Sequence, residues 1–242
     1  NGEINTLSGN VNWMASHETR MAATNLGERI EDIRPVVQPR SSDSAAIDAV
    51  AELLVRTERE LPEVKLLLIP EAWEKSATVP TPHRDFYAYG NAVMEPWDGP
   101  AAIAGYGGRW VLAGMDRNGL RPMRYVITGD GLLVVGSEAG MVRGDETTVV
   151  EKGRVGPGQM VAVDLREGRF YHDRELKDKV AALRPFGKWG EKARNLDDLI
   201  KDAREASAME RDEFRRRAVS VGWSLEELEL ILHPMVEDAK EA

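Results

Sequence analysis

Between residues 101 and 172 the chain drops helical spacing and runs as short apolar stretches separated by glycine turns. Stretches 101–106, 110–115, 124–128, 132–137, 147–150, 160–164 and 169–172 alternate or concentrate β-branched and aromatic residues. Gly107-Gly108, Asn118-Gly119, Asp130-Gly131 and Glu167-Gly168 fall between them. Dipeptides of this kind supply the positive φ that tight hairpins need. The spacing predicts five to seven strands in one antiparallel meander. Such a sheet must bury at least one face, so helices are expected to flank it.

Helical periodicity occupies both flanks. Residues 8–33 place Trp13, Met14, His17, Met21 and Leu26 near a 3.6-residue spacing, with Ser8 or Asn10 as N-cap. Residues 34–42 hold two prolines and read as a loop. Ser42-Asp43-Ser44 then caps a second helix with Ala46, Ile47, Val50, Leu53 and Leu54 on its apolar stripe. Residues 64–69 read as a strand or a tightly buried segment, ended by Pro70, residues 71–82 as a loop and 84–93 as a short helix. Beyond Asp173 the chain is helical and charged. Ser224 and Glu227 form a capping box over 225–232, which His233-Pro234 is expected to end.

Composition narrows the function. With 41 acidic and 32 basic residues the net charge is −9, which leaves no basic surplus for nucleic acid. No apolar run approaches the ~20 residues of a membrane span. The chain contains no cysteine, which removes disulfides, thiolate metal sites and thiol nucleophiles together. A cytoplasmic protein is expected. The start at Asn1 without methionine and the unpunctuated C-terminus read as cut edges of a longer chain.

Three places could carry chemistry. Asn1-Gly2 is either a tight-turn signal or a pair of donors, a side-chain amide and a main-chain N–H, suited to an oxyanion. Asp43 is either a first-turn helix acid or the partner of a substrate ammonium. In Met115-Asp-Arg-Asn-Gly-Leu-Arg-Pro122, Asn118-Gly119 fits a hairpin turn and Arg121 could clamp a carboxylate. The four histidines are far apart with no metal-binding spacing, and Gly105-Tyr-Gly-Gly108 lacks the ending of a phosphate loop.

Taken in order, several segments resemble the glutamine-amidotransferase domain of glutamate synthase large chains. They are residues 1–14 (NGEINTLSGNVNWM), 42–46 (SDSAA), 68–73 (LIPEAW), 94–102 (MEPWDGPAA) and 116–122 (DRNGLRP). The resemblance covers essentially the whole chain. It implies an α/β (α+β) fold of the N-terminal-nucleophile hydrolase type, a four-layer αββα sandwich incomplete at its N-terminal side. Residues 1–185 would be the C-terminal part of that domain and 186–242 a charged helical connection toward a central domain.

The same resemblance implies L-glutamine as substrate, with Asn1 and the Gly2 N–H as oxyanion hole and Asp43 holding the α-ammonium group. An N-terminal cysteine would attack the amide with its own amino group as base. That residue belongs upstream of Asn1, so the 242 residues alone are expected to be inactive. Ammonia would pass to 2-oxoglutarate at a flavin. No cofactor is expected in this chain, whereas FMN and an iron–sulfur cluster are expected in further regions of the enzyme. Its partners would be those regions and a small subunit or ferredoxin. Two alternatives stand beside this: a non-catalytic binding remnant, or another amidotransferase of the same fold serving purine or amino-sugar synthesis. Met94-Glu-Pro-Trp-Asp-Gly99 speaks against the latter.

Overall fold

Ser42 opens helix α2 (Asp43–Arg56) by accepting a hydrogen bond from the Ala45 N–H at 3.2 Å, a cap contact that satisfies one of the helix's orphan donors. The computed structural model describes residues 2–21, 27–142, 144–194, 196–200 and 209–239. Helix α1 (Leu7–Glu18) precedes α2, and a 3₁₀ segment (Gly27–Ile33) lies between them. The helix begins one residue before Ser8, behind Thr6 at φ 52°. The expected caps Ser8 and Asn10 therefore lie inside it, and Asn10 is buried.

Residues 64–69 do not form a strand. Residues 64–68 belong to helix α3 (Leu61–Leu68), which Ile69 ends, with Pro62 in its first turn, where its missing N–H costs nothing. Every residue from Pro62 to Leu68 is buried, so the helix shows no polar face from which a period could be read. The next helix, α4 (Thr81–Val93), starts earlier than expected and likewise carries a proline in its first turn.

Among the described residues seven strands follow: β1 (Ala102–Tyr106), β2 (Trp110–Met115), β3 (Arg124–Thr128), β4 (Leu133–Gly136), β5 (Val149–Arg154), β6 (Met160–Asp164) and β7 (Arg169–Tyr171). They form two antiparallel sheets, as the family resemblance implies, rather than the one meander that spacing alone suggests. One has the order β1-β2-β6-β7 and the other β4-β3-β5. The division falls at residues 116–122. Asn118-Gly119 does not close a hairpin there but lies on a crossover from β2 in the larger sheet to β3 in the smaller.

Strand alternation explains how the layers meet. On the larger sheet Trp110, Leu112, Met160, Ala162 and Tyr171 pack with Leu66 and Leu67 of α3, Phe86 and Tyr87 of α4, and Leu176 and Val180 of α5 (Asp173–Ala181). Ala113, Met115 and Val161, one position along the same strands, pack against Tyr125, Ile127, Leu133 and Val135 of the smaller sheet. Each large side chain sealed here stabilises the fold by about 1.5–3 kcal/mol. Phe186, at the start of α6 (Phe186–Gly190), meets Phe86 edge-to-face at 5.2 Å.

The chain divides into two compact units, Asn1–Ala193 and Arg194–Ala242. The second contains α7 (Leu196–Leu199), α8 (Arg211–Ser220), α9 (Leu225–Glu227) and α10 (His233–Glu237). The capping box forms as expected, with Ser224 Oγ accepting the Glu227 N–H at 3.1 Å and Glu227 accepting the Ser224 N–H at 2.7 Å. His233-Pro234 does not end the helix. A π-helical stretch (Leu228–Leu232) leads into α10, which places Pro234 in a new first turn where a proline fits.

Candidate functional site

The site starts from an extended segment, Gly2 to Asn5, lying antiparallel to residues 98–101. The Glu3 N–H donates to the Pro100 carbonyl at 3.0 Å and the Asn5 N–H to the Asp98 carbonyl at 2.8 Å, while Gly2 faces Ala101 as a β-bridge. Main-chain donors alternate sides along an extended chain. Glu3 and Asn5 thus turn toward 98–101, and Gly2 and Ile4 turn the other way. On that far side the Ile4 N–H donates to Asp43 Oδ2 at 3.0 Å. Gly2 therefore directs its N–H toward the edge on which Asp43 lies.

Two glycines make the close approach possible. At Gly2 a Cβ would stand 2.9 Å from that of Ala101, because directly opposed residues without mutual hydrogen bonds bring their side chains nearest. At Gly99, φ is +144° and a Cβ would meet the Glu3 carbonyl oxygen at 2.0 Å. Ile4 and Trp97 anchor the two segments in a core with Met14, Ala46, Val50 and Leu68.

Asp43 sits in the first turn of α2, one residue after the cap, and is partly exposed. The Ile4 N–H and then the Ser44 N–H, at 2.7 Å, hold its carboxyl below the ordinary carboxylate range. It remains an anion at neutral pH. A cavity of about 690 Å³ opens beside it, bounded by Gly2, Ile4, the Ile47 and Ala51 face of α2, Leu68 and the length of β1. Gly2 and Ile4 line this cavity, whereas Asp43 does not.

Of the residues expected to act, the structure brings Gly2 and Asp43 together around Ile4. Asn1 lies outside the described residues. Sequence reasoning missed Ile4, whose main-chain N–H joins the two across 39 positions. A main-chain donor leaves no mark on residue choice. The histidines stay apart, each beside its own carboxylate: His17 with Glu95, His83 with Asp178, His172 with Glu151 and His233 with Glu237. Among the described residues no group of three His, Asp or Glu side chains is placed to hold a metal ion. None of the described helices is long and apolar enough to cross a membrane.

Comparison with known proteins bears on this arrangement. Over its whole length the chain is 56% identical to the glutamate synthase [NADPH] large chain of Azospirillum brasilense. It is 42% identical to the ferredoxin-dependent glutamate synthase 2, chloroplastic, of Arabidopsis thaliana. Identity to the glutamate synthase [NADPH] large chain of Bacillus subtilis is 35%. The chain spans only 15–16% of the length of these relatives. The family profile of class-II glutamine amidotransferases matches residues 1–189, which takes in the Gly2–Asn5 segment, Asp43 and both sheets. The chain belongs to the class-II glutamine amidotransferases.

Proposed function

We propose that this chain forms part of the glutaminase site of a glutamate synthase, which releases ammonia from L-glutamine for glutamate formation from 2-oxoglutarate. The observation that carries the reading is the shared edge of Gly2 and Ile4, with Asp43 tied to it by the Ile4 N–H. An acyl-transfer site needs a donor aimed at the developing oxyanion and a counter-charge for the substrate ammonium. The Gly2 N–H, with the Asn1 side-chain amide, would serve the first need and Asp43 the second.

A cysteine thiolate outside these 242 residues would attack the glutamine amide carbon. The tetrahedral intermediate would expel ammonia, and water would release glutamate from the resulting thioester. The reading extends to a four-layer αββα sandwich, with a helical layer over the outer face of the smaller sheet. It also takes the residues after 185 as a connection toward the rest of the enzyme. FMN and an iron–sulfur cluster would belong to other regions. This chain has no cysteine to ligate a cluster, and no step here runs through one. Its partners would be a small subunit or ferredoxin, the electrons would come from a nicotinamide or ferredoxin, and the setting would be cytoplasmic.

The test uses the complete enzyme. Asp43→Asn keeps an oxygen for the Ile4 N–H and removes the charge, its NH₂ falling beside the Ser44 N–H at the exposed helix start. Glutamine-dependent kcat/KM should fall about 30-fold or more, as when one partner of a charged hydrogen bond is lost. Ammonia-dependent synthesis, which bypasses the site, should persist with an unchanged thermal midpoint. Wild-type use of glutamine would reduce Asp43 to a tether for the N-terminal segment.

A further inference from the structure

Asp116 is 1% exposed, yet its carboxylate is neutralised differently from the other buried acids. Asp164 is paired with Arg109, and Glu63 with Arg59 and Arg184. Asp116 is met instead by main-chain donors. Its Oδ2 accepts the Asn118 N–H at 2.8 Å and the Gly119 N–H at 3.2 Å, and its Oδ1 accepts the Ala101 N–H at 3.2 Å. The Asp116 N–H donates back to the Ala101 carbonyl at 3.1 Å. Ala101 is thus held through both of its main-chain groups by one residue. Its opposite number across the bridge is Gly2.

The same loop grips the rest of that segment. Arg117 pairs with Asp98, and Arg121 Nε donates to the Pro100 carbonyl at 3.3 Å. Residues 98–101 therefore lie between two partners, with the 116–121 loop on one side and Gly2–Asn5 on the other. The carbonyl of Asp116 accepts the Gly158 N–H at 2.7 Å, which fastens the loop to the turn before β6. A shift of Ala101 passes to Gly2 through their bridge and through the adjoining Glu3 N–H bond to the Pro100 carbonyl at 3.0 Å.

We propose that Asp116 is a positioning residue for glutamine hydrolysis: through Ala101 it fixes the direction of the Gly2 N–H. The inference rests on the glutaminase reading above and deepens it. A donor aimed at an oxyanion acts on the transition state and little on bound substrate, so its misalignment lowers kcat rather than raising KM. A displacement on the order of 1 Å costs about 10²-fold.

Asp116→Asn tests this in the complete holoenzyme. Asparagine suits a turn in which its oxygen accepts the 118 and 119 N–H groups. Its NH₂ then faces the Ala101 N–H, where an acceptor is required. Glutamine-dependent kcat should fall about 10- to 100-fold, with KM within about twofold and ammonia-dependent synthesis unchanged. Asp116→Ser, whose hydroxyl keeps the turn but is too short to reach Ala101, should give the same split and covers failure of the first variant to fold. Three results would overturn the inference: an unchanged kcat, a KM rise that accounts for the loss, or a parallel loss of ammonia-dependent activity. Asp43→Asn measured alongside separates the causes. If Asp43→Asn impairs glutamine use and the Asp116 variants do not, the glutaminase reading stands and the role of Asp116 falls. If neither impairs it, both fall.

Discussion

The two units of the chain contrast in how they use apolar residues. In Asn1–Ala193, Trp97, Trp110, Phe86, Phe186, Leu66 and Leu112 are fully buried between helices and sheets. In Arg194–Ala242, Ala218 is the only buried hydrophobic among the described residues. Leu196, Leu199, Phe214, Val219, Leu225, Leu230 and Val236 are exposed there. The first unit has a core of its own, and burial determines its stability. The second has local helix chemistry, such as the Ser224 capping box, and little burial to reinforce it. Short helices without a packed face are marginal in water, so cooperative stability should reside in the first unit.

The largest effect should come from Phe86→Ala, which empties a site between α4 and Phe186. A loss of about 3–5 kcal/mol is expected from urea unfolding followed by tryptophan fluorescence. An equal loss from Leu225→Ala, in the second unit, would break the comparison.

A smaller effect, opposite in sign, is expected at Lys65. This residue is 4% exposed, and its Nζ meets no hydrogen-bond acceptor among the described residues. Burial first, then the neighbouring Lys177 charge, pushes its pKa down to about 8, against the pull of Asp173, Glu71 and Asp116. The unfolded chain, with its ordinary value of 10.5, binds more protons than the folded one between these limits. Stability attributable to Lys65 should therefore rise with pH from about 8 to 10.5. Lys65→Met should flatten that rise in thermal midpoints measured across the interval, and at pH 7 it should stabilise by about 2 kcal/mol. A stability loss at pH 7 would mean the buried ammonium is favourably held after all.

Ser224→Ala should have the least effect, about 1 kcal/mol and confined to its own helix. Amide exchange should quicken over residues 225–232 and remain unchanged in β2 and β6. Faster exchange in both places would show that the units unfold together.

Much of the β region was legible, for a physical reason. Strands β2, β3 and β6 fall at the residues that alternation and glycine turns mark, because both faces of the larger sheet and one of the smaller are buried and register is tightly specified. The burial of the 64–69 segment was legible, but its helical form was not, because an all-buried helix has no period and Lys65 in an apolar run looks like an interruption in a strand. The division into two sheets was not legible in the local pattern, although the family resemblance implied it. Asn118-Gly119 has hairpin chemistry, but the loop that carries it is tied back to Ala101 by the buried Asp116, a tertiary contact with no local mark. At the site, Ser42-Asp43-Ser44 announced a helix start, but the reach from Asp43 to Ile4 is a tertiary contact that no local pattern encodes.

The pairing of residues 2–5 with 98–101 also has a consequence in time. Glu3 is among the first residues of this stretch to be synthesised, yet its partner Pro100 comes about 97 residues later. At roughly 5–20 residues per second, translation delivers that partner roughly 5–20 s afterwards. Until then the Gly2–Asn5 segment has one side of its main chain unanswered, and its glycine, the least restrained of residues, has no fixed direction. The donor edge is a late product of synthesis, and a nascent chain halted before Pro100 would carry the right residues without the site.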